Sequence, residues 1–155
     1  MGAIMAVQAR HFRPADGKTY QLGRITLTFK TSAADTGGAY TLCEAIEPPD
    51  AAAGLHRHPT YDETHIICEG HYECRLGDAK LKLGPGEMLF APRGTPHSVR
   101  CVGPETGREL IISSPGGIFD AFIEEVTGAL AAAAKGGPAA DFRAIAAKYG
   151  IEFLS

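Results

Sequence analysis

From Tyr20 to Ser113 the chain is cut at short intervals by residues that favour turns, which leaves room only for short elements. The breaks are Asp35-Thr36-Gly37-Gly38, Pro48-Pro49-Asp50, Glu69-Gly70, Gly77-Asp78, Gly84-Pro85-Gly86, Pro92-Arg93-Gly94-Thr95-Pro96 and Gly103-Pro104. The 155 residues include 19 Gly and 10 Pro, against a usual combined share of about 12%. Hydrophobic residues make up 45% and charged residues 21%, an ordinary globular balance, so the breakers do not signal disorder. The runs between them are strand candidates: Gln21–Lys30, Ala39–Glu47, Glu63–Glu69, His71–Leu76, Ala79–Leu83, Glu87–Ala91, His97–Val102 and Glu109–Ser113. Tyr72, Cys74 and Leu76 alternate with Glu73 and Arg75, as in a strand with one buried face. The pattern predicts an all-β sandwich or barrel.

After Ser114-Pro115-Gly116-Gly117 the period changes to that of a helix. Phe119, Phe122, Ile123, Val126 and Leu130 fall on one helical face, and Gly136-Gly137 ends the run. Pro138 is expected to open a second helix, with Phe142, Ile145, Ala146 and Tyr149 on one face and Gly150 as its cap. The expected organisation is a β-body over residues 1–115 and a helical extension over residues 116–155, packed on the body by its apolar stripes.

The formal charge of −3 argues against nucleic acid as the main partner, since phosphate binding needs a basic surface. No apolar run approaches the roughly 20 residues of a spanning helix, and the start lacks the basic and apolar segments of an export signal. The expected location is cytoplasmic, with no membrane partner. Cys43, Cys68, Cys74 and Cys101 are irregularly spaced and expected to be thiols, mostly small core residues.

One group of residues has the chemistry of a site. His56 and His58 are two apart and face the same side of a strand. Pro59 breaks that strand, so Glu63 is expected to turn inward on the next one, with His65 on the same face. His97 comes from a third strand, and a barrel interior is where all would converge. Three imidazoles and a carboxylate suit one divalent transition metal: iron, nickel, manganese, cobalt, copper or zinc. The bland alternative is a surface His-X-His pair beside a solvated glutamate. Asp62 is a second, less well spaced candidate carboxylate. His11, His71 and Arg57 read as solvated or surface positions.

These residues resemble the two motifs of the cupin superfamily. Gly54, His56, His58, Glu63 and Gly70 match the first, with four residues between His58 and Glu63 and six between Glu63 and Gly70. Gly86, Pro92, Gly94 and His97 match every spacing of the second, while Cys101 stands where the family has an asparagine. The tail resembles that of small single-domain cupins, of the quercetin dioxygenase-like kind. The resemblance implies a double-stranded β-helix, or jelly-roll barrel, with a metal inside held by His56, His58, Glu63 and His97. It also implies a homodimer and no organic cofactor.

His65 stands where such cupins commonly carry an aromatic or aliphatic residue. It is expected to be a fifth ligand, a proton shuttle or a partner that orients Glu63, or else a plain core histidine. Alternation assigns Tyr72, Cys74, Met88, Phe90 and Val99 to the pocket wall, and such a wall suits an apolar or aromatic organic substrate. The expected function is a metal-dependent oxygenase acting with O2 on a phenolic or enolisable compound. Glu63 serves there as ligand and base, and His65 as a proton carrier. The alternatives are a non-oxidative isomerase or polyketide-type cyclase or aromatase, and a small-molecule binding cupin without catalysis.

Overall fold

A computed structural model describes residues 6–154. Eleven strands and three helices follow in the order β1 (Lys18–Leu22), β2 (Ile25–Thr31), α1 (Ala33–Thr36), β3 (Thr41–Glu47), β4 (Ala52–Arg57), β5 (Asp62–Glu69), β6 (His71–Leu76), β7 (Ala79–Leu83), β8 (Met88–Ala91), β9 (His97–Val102), β10 (Gly107–Ser114), α2 (Ile118–Ala134), α3 (Phe142–Lys148) and β11 (Glu152–Phe153). A six-stranded sheet runs β1-β2-β3-β10-β5-β8 and a five-stranded sheet β11-β4-β9-β6-β7. All recorded pairings are antiparallel. The two sheets form a jelly-roll barrel, the all-β architecture expected from the sequence.

The run Gln21–Lys30 is two strands, not one. Gly23 and Arg24 make a two-residue turn, with Leu22 opposite Ile25 and Gly23 at φ +60°. Strand β4 lacks the β-branched residues that announce a strand; its pairing with β9 and β11 makes it one. The second helix starts at Phe142 rather than at Pro138, because the Asp141 side chain caps it by accepting from Ala144 N at 3.0 Å. Gly150, at φ +72°, stands just beyond its end, where Ile151 N donates to Ala146 O.

Alternation sets the barrel interior. On β3 the inward residues are Thr41, Cys43, Ala45 and Glu47; on β10 Glu109, Ile111 and Ser113; on β5 Glu63, His65 and Ile67. Two apolar clusters result. One joins Leu27, Phe29, Cys43 and Ile111 to Phe122, Ile123 and Val126 of α2, so the helix docks on the barrel by its predicted stripe. Full burial of each such side chain contributes roughly 1.5–3 kcal/mol. The other gathers Ile67, Tyr72, Cys74, Leu83, Leu89, Val99 and Cys101. Among the described residues, no helix is long and apolar enough to cross a membrane.

Strand β8 overturns part of the expected pocket wall. Leu89 and Ala91 are buried there, while Met88 and Phe90 are 61% and 51% exposed. Met-Leu-Phe-Ala is apolar on both faces, so its alternation holds no information on phase. The pairing of Leu89 with His65 and Ala91 with Glu63 decides it.

Gly70 ends the β5–β6 turn at φ +81°, where a Cβ would lie 2.8 Å from Gly107 Cα. Gly86 has a similar φ of +89° but open space around it. Gly70→Ala should therefore cost about 2–3 kcal/mol and Gly86→Ala about 1 kcal/mol in urea unfolding. Equal losses would show that crowding against Gly107 is not what fixes the glycine.

Candidate metal centre

The break at Pro59 does what the spacing requires. The chain leaves β4 at Arg57, turns through Pro59 and Thr60, and enters β5 with Glu63 facing inward. His56 comes from β4, His58 from the turn and His97 from the first position of β9, where it pairs with His56. One ligand atom from each of His56, His58, Glu63 and His97 lies within 4.8 Å of all the others. Asp62 is not among them, because Arg93 takes both its carboxylate oxygens at 3.0 Å.

The hydrogen bonds orient these rings for a cation. His56 Nδ1 lies 2.7 Å from Gly54 O, His58 Nδ1 2.9 Å from Tyr61 O and His97 Nδ1 2.9 Å from Thr95 O. A carbonyl oxygen only accepts, so each Nδ1 donates, and in the uncharged tautomer each ring turns an Nε2 lone pair inward, as a metal ligand must. Tyr61 stacks on His58 with ring centroids 3.8 Å apart and further fixes that ring. Burial, and then His97, hold His56 down at about 4, so it stays a neutral ligand. The Nε2 atoms of His58 and His97 lie 3.1 and 2.9 Å from Glu63 Oε2, and in that tautomer both face it as acceptors. Acceptors facing one another at this distance out of water repel unless a cation stands among them. Three neutral imidazoles and one carboxylate are the donor set of a divalent transition metal, and the residues fit it.

His65 is different. Its Nε2 is 3.3 Å from Glu63 Oε2 and its Nδ1 is 3.0 Å from Glu109 Oε2, so both nitrogens face carboxylates. Burial disfavours its charge, but Glu109 and Glu63 reverse that and raise it well above the usual histidine range. An imidazolium with both protons engaged has no lone pair for a metal. Of the roles expected for it, the geometry supports holding Glu63 and keeping a proton beside it, not ligation. Burial likewise opposes the Glu63 charge, yet its carboxyl lies well below the ordinary range, and the His65 N–H that faces Oε2 favours the charged form.

A cavity of about 420 Å³ opens on this group. Leu27, Val99, Ile111, Phe122, Phe142 and Phe153 wall it, and His56, Glu63, His65, Glu109 and Glu47 are its polar lining. Of the five residues expected in the wall, Val99 alone lines this cavity. Tyr72 and Cys74 point inward but pack in the second apolar cluster, and Met88 and Phe90 face outward. The walls missed from sequence come from β2, the helices and β11, whose Phe153 pairs with His56.

Glu47 and Glu109 were also not anticipated. A glutamate at a strand end ordinarily reads as solvated, yet counting by twos from Cys43 puts Glu47 inside. Its pKa is pushed up to about 8, by burial first and then by the Glu109 charge. The Tyr72 hydroxyl opposes this shift, but neither Tyr72 Oη nor Glu47 Oε2 has a hydrogen-bond partner among the described residues.

Known proteins agree with this fold. Residues 44–113 match the family model for the cupin domain. An uncharacterized protein of Methanocaldococcus jannaschii is 32% identical over 79 residues, 51% of this chain and 63% of its own length. The chain thus spans less than two thirds of that relative. Among solved structures, KdgF from Halomonas sp. superposes with a TM-score of 0.64 at 18% identity, over 71% of this chain and 96% of that one. The polyketide cyclase RemF from Streptomyces resistomycificus gives 0.61 at 23% identity, over 69% and 80%. An RmlC-like cupin from Shewanella frigidimarina gives 0.60 at 17% identity, over 72% and 96%. At these identities the solved structures share the jelly-roll fold with this chain. The match to the cupin domain lies within the β-body of this chain.

Two predictions follow from this geometry. Purified without chelator, the protein should carry about one transition-metal ion per chain, and His97→Ala should weaken its retention on the order of 100-fold or more; elemental analysis showing wild-type content in that variant would remove His97 from the ligand set. For Glu47 the pH dependence has a definite sign. A carboxyl raised from an ordinary 4.5 to about 8 in the fold contributes its full stability below pH 4.5 and loses it as pH rises through 8. Glu47→Gln should therefore gain Tm over wild type between pH 5 and pH 8, by more than about 1 kcal/mol or roughly 2–4 °C, and level off above that. A difference that stays flat with pH would contradict the raised pKa.

Proposed function

We propose that this cupin is a mononuclear metal-dependent oxygenase acting on a phenolic or enolisable organic substrate. The observation that carries the proposal is the apolar, aromatic-walled cavity that meets the His56, His58, Glu63 and His97 cluster. Its walls suit a flat apolar body, and they exclude water from the reacting end. A divalent metal held by those four residues would supply Lewis-acid polarisation of a substrate oxygen and a path for electrons to O2.

The chain's own groups then divide the work. Glu63 Oε2 is the acceptor at which a substrate hydroxyl proton can be left, and His65 holds that oxygen in place from the far side. Glu109 fixes His65 in turn and stabilises its positive charge. Charge supports the substrate class. Glu63 and Glu109 against the His65 imidazolium leave one net negative charge in the interior. A divalent cation makes that one net positive, and a phenolate or enolate brings it to neutrality.

A second function is favoured by one observation. His65 stores a proton between two carboxylates beside the site, and proton transfer is the entire chemistry of an isomerase or of a polyketide-type cyclase or aromatase. RemF is named as a polyketide cyclase, which makes that alternative worth the same assay.

Oxygen uptake across a panel of flavonols, catechols and β-diketones separates the two. The oxygenase predicts O2 consumption matched to substrate loss in protein loaded with iron, nickel or manganese, and none with His97→Ala. Turnover of zinc-loaded protein with no O2 uptake would replace it with the non-oxidative reaction. In either case His65→Gln should retain metal and lower kcat about 10²–10⁴-fold. An unchanged kcat would leave His65 a packing residue.

A further inference from the structure

The cavity has a second polar end away from the metal cluster. Glu63 pairs with Ser113 on β10, whereas Glu47 pairs with Gly107, six residues earlier on the same strand. That is roughly 20 Å of strand, less the inward reach of the two side chains. His65 and Glu109, bonded to each other at 3.0 Å, fill the polar positions in between. The remaining interior at that level is apolar, with Ala45, Val99 and Ile111 in the wall.

Glu47 is 4% exposed, lines the cavity and leaves Oε2 without a partner among the described residues. A buried carboxyl oxygen without a partner weakens the fold, so one on a cavity wall points to a ligand. The neighbourhood is built to keep it there. A Cβ on Gly107 would lie 2.2 Å from Tyr72 Oη, so this glycine admits the Tyr72 ring from the opposite sheet against the β10 backbone. Tyr72 is fully buried, its hydroxyl likewise unpartnered, and it does not line the cavity. The Tyr72 hydroxyl neighbours Glu47 without reaching Oε2 at hydrogen-bond distance, and of the two residues Glu47 lines the cavity.

We propose that Glu47 is a second substrate anchor, which binds a hydroxyl or carbonyl oxygen at the end of the substrate farthest from the metal. The substrate class is accordingly an apolar, aromatic body with oxygen functions at both ends; this rests on the phenolic or enolisable substrate proposed above. A neutral carboxylic acid donates to a carbonyl oxygen and accepts from a hydroxyl, so it serves either. A compound without the far oxygen leaves Glu47 unpaired, and that penalty is what discriminates. Glu47 touches no reacting atom and is a positioning residue.

The test uses zinc-loaded full-length protein and three probes followed by flavonol fluorescence: unsubstituted flavonol, galangin with added hydroxyls on the fused ring, and kaempferol with a further hydroxyl on the pendant ring. Wild type should bind at least one hydroxylated probe about tenfold or more tightly than flavonol, the worth of one good hydrogen bond. Glu47→Leu should erase that preference while flavonol binds at least as tightly as to wild type and zinc content stays at the wild-type value. Glu47→Met, unbranched and of similar length, makes the same test should the leucine variant not fold. Equal affinities in wild type, or a preference that survives both variants, overturns the anchor while flavonol binding upholds the proposed substrate class. Failure of all three probes to bind the zinc-loaded wild type instead overturns that substrate class, and the anchor falls with it.

Discussion

A single carboxylate oxygen, Glu63 Oε2, has imidazole nitrogens of His58, His65 and His97 within 3.3 Å and is sealed from water. Everything else in the interior accommodates this arrangement. An ionised carboxylate in a low-dielectric core is tolerated only when paired and hydrogen-bonded, and Ser113 Oγ adds a fourth contact at 3.4 Å. The carbonyls of Gly54, Tyr61 and Thr95 fix which nitrogen of each ligand ring carries the proton. They are therefore as much a part of the centre as the rings. Two of them belong to the turns that join strands, which is why the spacing of those turns matters more than the strands they join.

Much of this was legible because spacing is a geometric statement. His-X-His puts two rings on one side of a strand, and Pro59 forces the change of phase that brings Glu63 and His65 inward. Gly70 and Gly94, both at positive φ, hold turns that few other residues fit. The α2 stripe was equally readable, since Phe122, Ile123 and Val126 recur at the helical period and become the docked face. What failed to show was phase in elements without contrast. Met88 and Phe90 sit on a strand that is apolar on both faces, and only pairing with β5 decides which face turns in.

A second kind of information was absent from the sequence altogether. Which wall of a barrel borders its cavity depends on what covers the mouth, and here α2, α3 and β11 do so. Phe153, near the end of the chain, becomes a neighbour of His56 with ring centroids 5.4 Å apart. The Arg57–Glu152 ion pair beside it, with both side chains about half exposed, adds little to holding it. The seat of β11 comes from backbone pairing with β4, and from Leu154 N donating to Leu55 O at 2.9 Å. Glu47 and Glu109 escaped notice for a related reason. Burial of a strand-end glutamate is set by the strands opposite, not by its own neighbours in sequence.

The buried acids are graded along the barrel. Glu63 keeps its charge because the His65 N–H faces it, and a cation among the four ligands would hold it further. Glu109 faces an imidazolium and adds a second charge, and that charge, with burial, is what pushes Glu47 towards neutrality. Were Glu47 ionised as well, the interior would carry a further negative charge that the His65 imidazolium, already shared by Glu63 and Glu109, offsets only in part. The burial that, with Glu109, neutralises Glu47 turns it into a hydrogen-bond donor. One end of the cavity is thus suited to an anionic oxygen and the other to a neutral one, a difference that follows from His65 standing against Glu63 at one end and from burial of Glu47 at the other.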